Sequence, residues 1–167
     1  NEVEDKDARV LDLCTGTGCI GISLLLCGGF RDMTLSDISK EALSVAGFNA
    51  EKLAPGDGVE IIESDLFEKI PSDRRFDVIV SNPPYITDEE MDFLDSCVKD
   101  HEPDLALRAG DDGLEFYGPI LTIAKSLLKE GGALIVEHGY GQGDAVRELF
   151  EKGGLHDCLT LKDYGGN

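Results

Sequence analysis

Ser81-Asn82-Pro83-Pro84-Tyr85 places a side-chain amide, two stiff prolines and a flat ring after an apolar run, Phe76 to Val80. Proline has no N–H for a sheet ladder, so the pair stops a strand and holds the backbone extended at its C-terminal end. In an open parallel sheet, ligands bind at that edge. The amide of Asn82 and the ring of Tyr85 are therefore candidate contacts for a planar polar group. A second constellation lies upstream. Leu11-Asp12-Leu13-Cys14-Thr15-Gly16-Thr17-Gly18-Cys19-Ile20-Gly21 contains G-x-G-x-x-G, and Asp37 follows Gly16 by 21 positions. Glycines in that pattern permit a tight turn and close approach of backbone to a ligand, and an acidic residue at that distance suits a ribose diol.

The glycines alone leave the nucleoside open. A dinucleotide would set its pyrophosphate on the turn, but Asp12, a carboxylate just before it, would repel phosphate and suits an ammonium group. Asp65 and Leu66 follow a third apolar run, where this topology would put an adenine edge and its ring face.

The elements that must position these residues follow from hydrophobic pattern. Val10 to Cys14 is strand one, and Gly18 to Cys27 is a buried helix closed by Gly28-Gly29. Met33 to Ser36 is strand two, ending at Asp37. Ser39 caps a helix running towards Leu53. Pro55-Gly56-Asp57-Gly58 is a loop, Val59 to Glu63 is strand three and Phe76 to Ser81 is strand four. A helix is predicted from Asp88 to about Val98, then irregular chain from Lys99 to Gly113. Leu114, Tyr117, Leu121, Ala124 and Leu128 mark a helical face closed by Gly131-Gly132. Ala133 to Glu137 is strand five. Ala145, Val146, Leu149 and Phe150 mark a last helix closed by Gly153-Gly154, and Cys158 to Leu161 is strand six. Strands alternating with helices imply a doubly wound α/β fold with right-handed crossovers.

Composition narrows the function. The chain has 167 residues, 41% hydrophobic and 29% charged, enough for one domain with a real core. A net charge of -19, from 34 acidic and 15 basic residues, opposes direct nucleic-acid binding. No apolar run is long enough to span a membrane, and the polar start, Asn1 to Arg9, is no signal peptide. The five cysteines are odd in number and lack CxxC, which argues against disulfides or zinc and fits a reducing cytoplasm. His101, His138 and His156 have no metal-ligand spacing, so no metal is expected.

Strand, Gly-rich turn, acidic strand-two end and Asn-Pro-Pro-Tyr together resemble the class I S-adenosylmethionine-dependent methyltransferases. The resemblance implies a Rossmann-like, three-layer α/β/α domain over 1–167 and a target on a planar nitrogen, either the exocyclic amine of adenine or the side-chain amide of glutamine. Glu102-Pro103-Asp104-Leu105-Ala106-Leu107, then Ala109-Gly110-Asp111-Asp112-Gly113-Leu114 and Tyr117, resemble the EPxxAL…GxDGLxxY block of the HemK/PrmC family, which methylates the glutamine of the GGQ motif in peptide chain release factors. Glu137-His138-Gly139 with Gln142 is similar to that family's E-x-G-x-x-Q.

This resemblance implies roles. Cys14, Thr15, Gly16, Thr17 and Gly18 would wrap the methionine part of S-adenosylmethionine, with Asp12 near its ammonium. Asp37 would hold the ribose, Asp65 and Leu66 the adenine, and Asn82 would border cofactor and substrate alike. The Asn82 side chain and Pro83 carbonyl would accept hydrogen bonds from the substrate amide, with Pro84 and Tyr85 packed beside it. Glu102 and Asp112 read as loop-structuring carboxylates and Tyr117 as core. Glycine is more usual in the family where Cys14 stands. The family's N-terminal helical domain and the antiparallel strand after Asp163-Tyr164-Gly165-Gly166 are expected to be missing. Adenine in DNA or RNA remains the alternative substrate, permitted by the tetrapeptide and opposed by the charge.

Overall fold

A computed structural model describes residues 8–28, 30–56, 58–99, 101–162, 165 and 166. Gly29, Asp57, Asp163 and Tyr164, expected at a helix end, a loop and the closing motif, lie outside the described residues, as do residues 1–7 of the polar start. The described residues divide into two compact units, one within Asn1–Asn82 and Ser126–Val136, the other within Pro83–Lys125 and Glu137–Asn167.

The first unit is a five-stranded parallel sheet in the order β3-β2-β1-β4-β5, with β1 Arg9–Leu13, β2 Asp32–Asp37, β3 Gly58–Glu63, β4 Phe76–Ser81 and β5 Leu128–Val136. This is the doubly wound α/β arrangement that the alternation of apolar runs predicts, of the Rossmann-like type that the resemblance implies. β1 sits centrally, with Val10 paired to Met33 on one side and Val78 on the other. Val10, Leu11 and Leu13 are all buried, as a parallel strand covered on both faces requires. α1 (Cys19–Ser23), which continues as a π-helical turn through Gly28, and α2 (Lys40–Leu53) supply Ile22, Leu25, Ala46 and Ala50 to a core with Val10, Met33, Leu35, Val78 and Val80. Ser39 caps α2 by accepting the Ala42 N–H at 3.1 Å, and Glu41 and Lys52 match the helix dipole at its two ends. The buried stripe Leu43, Ala46, Ala50 is mostly alanine, which lets the helix lie close to the sheet.

Three expectations are corrected. The helix predicted to close at Gly131-Gly132 ends at Leu127, and β5 starts at Leu128. Leu128 pairs with Phe76 and Ala133 with Val78, so the glycines fall in a bulge, where Gly131 takes a φ of 77°. Asp88 to Val98 is two short helices, α3 (Asp88–Met91) and α4 (Ser96–Lys99). The Asp95 carboxylate accepts the Cys97 N–H at 2.8 Å, which starts a new turn instead of continuing the first helix. Cys158 to Leu161 forms no strand among the described residues. Leu159 and Leu161 are 82% and 83% exposed, and β-forming residues without a paired neighbour do not make a strand.

The second unit also holds α5 (Asp104–Leu107), α7 (Gly143–Lys152) and the start of α6 (Tyr117–Leu127). Its organising feature is the strip after Pro84. Ile86 donates its N–H to the Leu107 carbonyl and accepts from Ala109 N–H, each at 2.8 Å, an isolated parallel bridge that fixes an otherwise irregular segment. Thr87 and Glu90 form a reciprocal capping box at the start of α3.

Candidate active site

In the first unit, β1 delivers Asp12 and Leu13 to a turn in which Cys14, Gly16 and Gly18 all take positive φ, 57°, 56° and 85°. A side chain at Gly16 would be strained, yet its Cβ would meet nothing within 4 Å, so the space over the turn is open. Asp37 leaves β2 beside it and splits its carboxylate. One oxygen accepts the Gly16 N–H at 2.8 Å, the other the Ser39 N–H at 2.9 Å. Each oxygen keeps lone pairs for a further donor, and the residue is half-buried. Ser64 N–H donates to the Asp37 carbonyl at 2.9 Å, which ties the end of β3 to the same place. Asp65 there is exposed, and Leu66 is half-buried with a φ of 43°. Thr15 is buried and Thr17 exposed; the Thr17 carbonyl accepts from Asn49 at 3.0 Å, joining the turn to α2.

Asp12 lies beneath the turn, not on its open face. It is fully buried, and its Oδ2 accepts from the Thr15 hydroxyl at 2.6 Å and the Gly21 N–H at 2.8 Å. Burial pushes its carboxyl up to about 6 against the lowering effect of those two bonds, and the Asp37 charge adds to the rise. Its Oδ1 is buried with no hydrogen-bond partner among the described residues. The Oδ2 bonds hold the turn together, and Oδ1 keeps its lone pairs for a further donor. The Cys14 thiol is pushed up to about 12, mainly by burial, and stays neutral and unreactive. Open space at Gly16 and a pre-oriented carboxylate at Asp37 fit a ribose-bearing cofactor.

Asn82, at the end of β4, is exposed and belongs to the first unit. Ser81 just before it is buried and donates to the Leu13 carbonyl at 2.8 Å, locking the ends of β4 and β1 together. Pro83 opens the second unit; it and Pro84 are buried, and Tyr85 is half-buried. The Tyr85 hydroxyl donates to Glu137 Oε1 at 3.2 Å, while Tyr117, fully buried, donates its hydroxyl to the Glu137 carbonyl at 3.0 Å. Burial first, then the Glu137 charge, raises the Tyr85 phenol, so it remains a donor. Asp112 accepts the Leu114 N–H at 2.9 Å, a loop role, while Glu102 is simply exposed. Sequence reasoning gave Glu137 and Gln142 no role beyond a motif match. Their polar side chains, spaced five apart after an apolar strand, were the available signal.

The family model described as the methyltransferase small domain matches residues 1–101. The chain belongs to this family. The methyltransferase domain is 43% identical over 165 residues to the release factor glutamine methyltransferase of Bacillus subtilis, covering 98% of this chain and 57% of that protein. It is 44% identical over 142 residues to the ribosomal protein uL3 glutamine methyltransferase of Francisella tularensis, covering 85% of this chain and 44% of that protein. The chain thus spans about half the length of the curated relatives it matches. Its fold matches a crystal structure of ribosomal protein L11 methylase from Lactobacillus delbrueckii at a TM-score of 0.69 and 20% identity, over 96% of this chain and 67% of that one. Class I methyltransferase architecture follows for this domain.

Proposed function

We propose that this domain, read over 1–167, transfers a methyl group from S-adenosylmethionine to the side-chain amide nitrogen of the GGQ glutamine in peptide chain release factors. The observation that carries it is Asn82-Pro83-Pro84-Tyr85 at the end of a central strand, in a chain about 40% identical to enzymes named for that reaction. When bound, S-adenosylmethionine supplies an electrophilic methyl group and leaves as S-adenosylhomocysteine. Asp37 would hold its ribose hydroxyls, Asp65 and Leu66 its adenine, and Cys14 to Gly18 its amino-acid end.

An amide nitrogen is a poor nucleophile because its lone pair is delocalised. The Asn82 side-chain oxygen and the Pro83 carbonyl would accept its two N–H bonds, which orients the nitrogen and favours the positive charge that develops on it. Pro83 and Pro84 keep those acceptors rigid, and Tyr85 packs on the flat amide group. The nitrogen gives up its proton to water after transfer, so no side-chain base is required. The cytoplasm, where release factors act on ribosomes, is the proposed setting.

The test is methylation of a peptide bearing the GGQ loop, read by mass spectrometry, with cofactor binding followed by calorimetry. Cofactor bound with no methyl on glutamine sinks the reading. A second reading, the glutamine of ribosomal protein uL3, is favoured by the Francisella relative, and a uL3 peptide in the same assay separates the two. Adenine in DNA or RNA keeps only the tetrapeptide in its favour, and an oligonucleotide arm decides it.

A further inference from the structure

One glutamine in the second unit uses both polar atoms of its side chain to join the strip that carries Tyr85 to the main chain at Gly113 and Gly139. Gln142 is the N-cap of α7, its N–H donating to the Gly139 carbonyl and its carbonyl accepting from Val146 N–H, both at 2.9 Å. Its Oε1 accepts the Gly139 N–H at 2.9 Å. That bond settles the amide's orientation, because an N–H cannot donate to the NH2 end. Nε2 therefore faces two acceptors, the Tyr85 carbonyl at 2.8 Å and the Gly113 carbonyl at 3.4 Å. Gly113 leaves the room: a Cβ there would sit 2.2 Å from Nε2 and 2.5 Å from the Tyr85 carbonyl oxygen. Tyr85 is thus held at its carbonyl by Gln142 and at its hydroxyl by Glu137.

We propose that Gln142 is a positioning residue for the methyl acceptor: its side-chain amide ties the Tyr85 carbonyl to the main chain at Gly113 and Gly139, and so sets how Pro83 to Tyr85 present themselves to the substrate amide. The inference rests on the methyl-transfer reading for its consequence, though not for its geometry. The residue type is demanding. Glutamate keeps the acceptor for Gly139 but sets a carboxylate against two carbonyl oxygens, asparagine is one methylene short, and lysine has no acceptor.

The experiment compares the parent chain with Gln142→Ala and Gln142→Glu in three readouts. These are amide hydrogen exchange at Ile86 and Ala109, calorimetric binding of S-adenosylmethionine, and steady-state methylation of the GGQ peptide. Expected are exchange at both amides at least about tenfold faster, cofactor Kd within about twofold, and kcat down by about 100-fold, the scale of a misplaced reacting group. Gln142→Glu should behave like Gln142→Ala although it preserves shape. Parental exchange in either variant, parental kcat in Gln142→Glu, or loss of the fold in both overturns the proposal. If the parent itself leaves the peptide unmethylated, the functional reading has failed, and the exchange data alone decide whether Gln142 holds the strip.

Discussion

Asp12→Asn separates the charge of the carboxylate beneath the Gly-rich turn from its hydrogen bonds. The amide oxygen can still accept from Thr15 and Gly21, but the side chain cannot ionise. Burial raises the Asp12 carboxyl from 3.8 to about 6, so the native state holds this proton more tightly than the unfolded chain does. The sign follows. Below the unfolded value both states are protonated and Asp12 carries no ionisation penalty. As pH rises from 3.8 to about 6, the unfolded chain ionises first and native stability falls; above about 6 the penalty is complete. A shift of about two units at about 1.4 kcal/mol per unit amounts to about 3 kcal/mol. Other carboxylates titrate in the same range but are common to both proteins and cancel in the difference. Urea unfolding followed by circular dichroism, from about pH 4 to about pH 7, gives that difference. Asp12→Asn should gain about 3 kcal/mol on the parent across this range, nearly all of it below about pH 6. A difference curve that is flat with pH would refute a buried, strained carboxylate at this position.

Asn82→Ala should lower kcat for glutamine methylation by at least about 100-fold, with the calorimetric affinity for S-adenosylmethionine within about twofold, because a hydrogen-bonding group acting on the developing charge is lost. Asp37→Ala should weaken cofactor binding about 10- to 100-fold, the loss of charge-assisted hydrogen bonds of about 1.5–3 kcal/mol; unchanged affinity in titration calorimetry removes Asp37 from the ribose. Thr87→Ala breaks the capping box at α3 and should cost about 1 kcal/mol, seen as a thermal midpoint lower by about 2–4 °C.

The Gly-rich turn and the Asp37 carboxylate beside it were legible because their signals are local. A left-handed turn needs glycine, a carboxylate at the next strand end is placed by the register of β1 on β2, and both are written in short, contiguous stretches. The end of β4 before Asn82-Pro83-Pro84-Tyr85 was legible for the same reason, since Pro83 and Pro84 dictate their own conformation. The structural bonds of Asp12 were not legible: its type suggested a partner for a cation, while the turn folds back over it and Gly21 donates to one of its oxygens. Nothing local marks that closure. The break between α3 and α4 was hidden in the same way: Asp95 can continue a helix or cap a new one, and the pattern of apolar residues does not distinguish these. Gln142 was visible only as a motif position. Its meaning depends on Gly113 and Tyr85, 29 and 57 residues away, which no periodicity connects.

The central place of β1 has a consequence for how the chain is made. β1 meets β2 across a separation of 23 residues, but its other edge waits for β4, 68 residues on, as the bonds from Arg9 to Asp32 and from Ser81 to Leu13 record. Closing the longer loop costs only about 1 kcal/mol more in chain entropy. The delay is set instead by synthesis, at about 5–20 residues per second, so the bare edge of β1 stays open for several seconds on each ribosome. An open, apolar strand edge is a template for pairing with another nascent chain. Residues 1–81 carry 16 acidic against eight basic side chains, so each half-made copy repels the next during that interval.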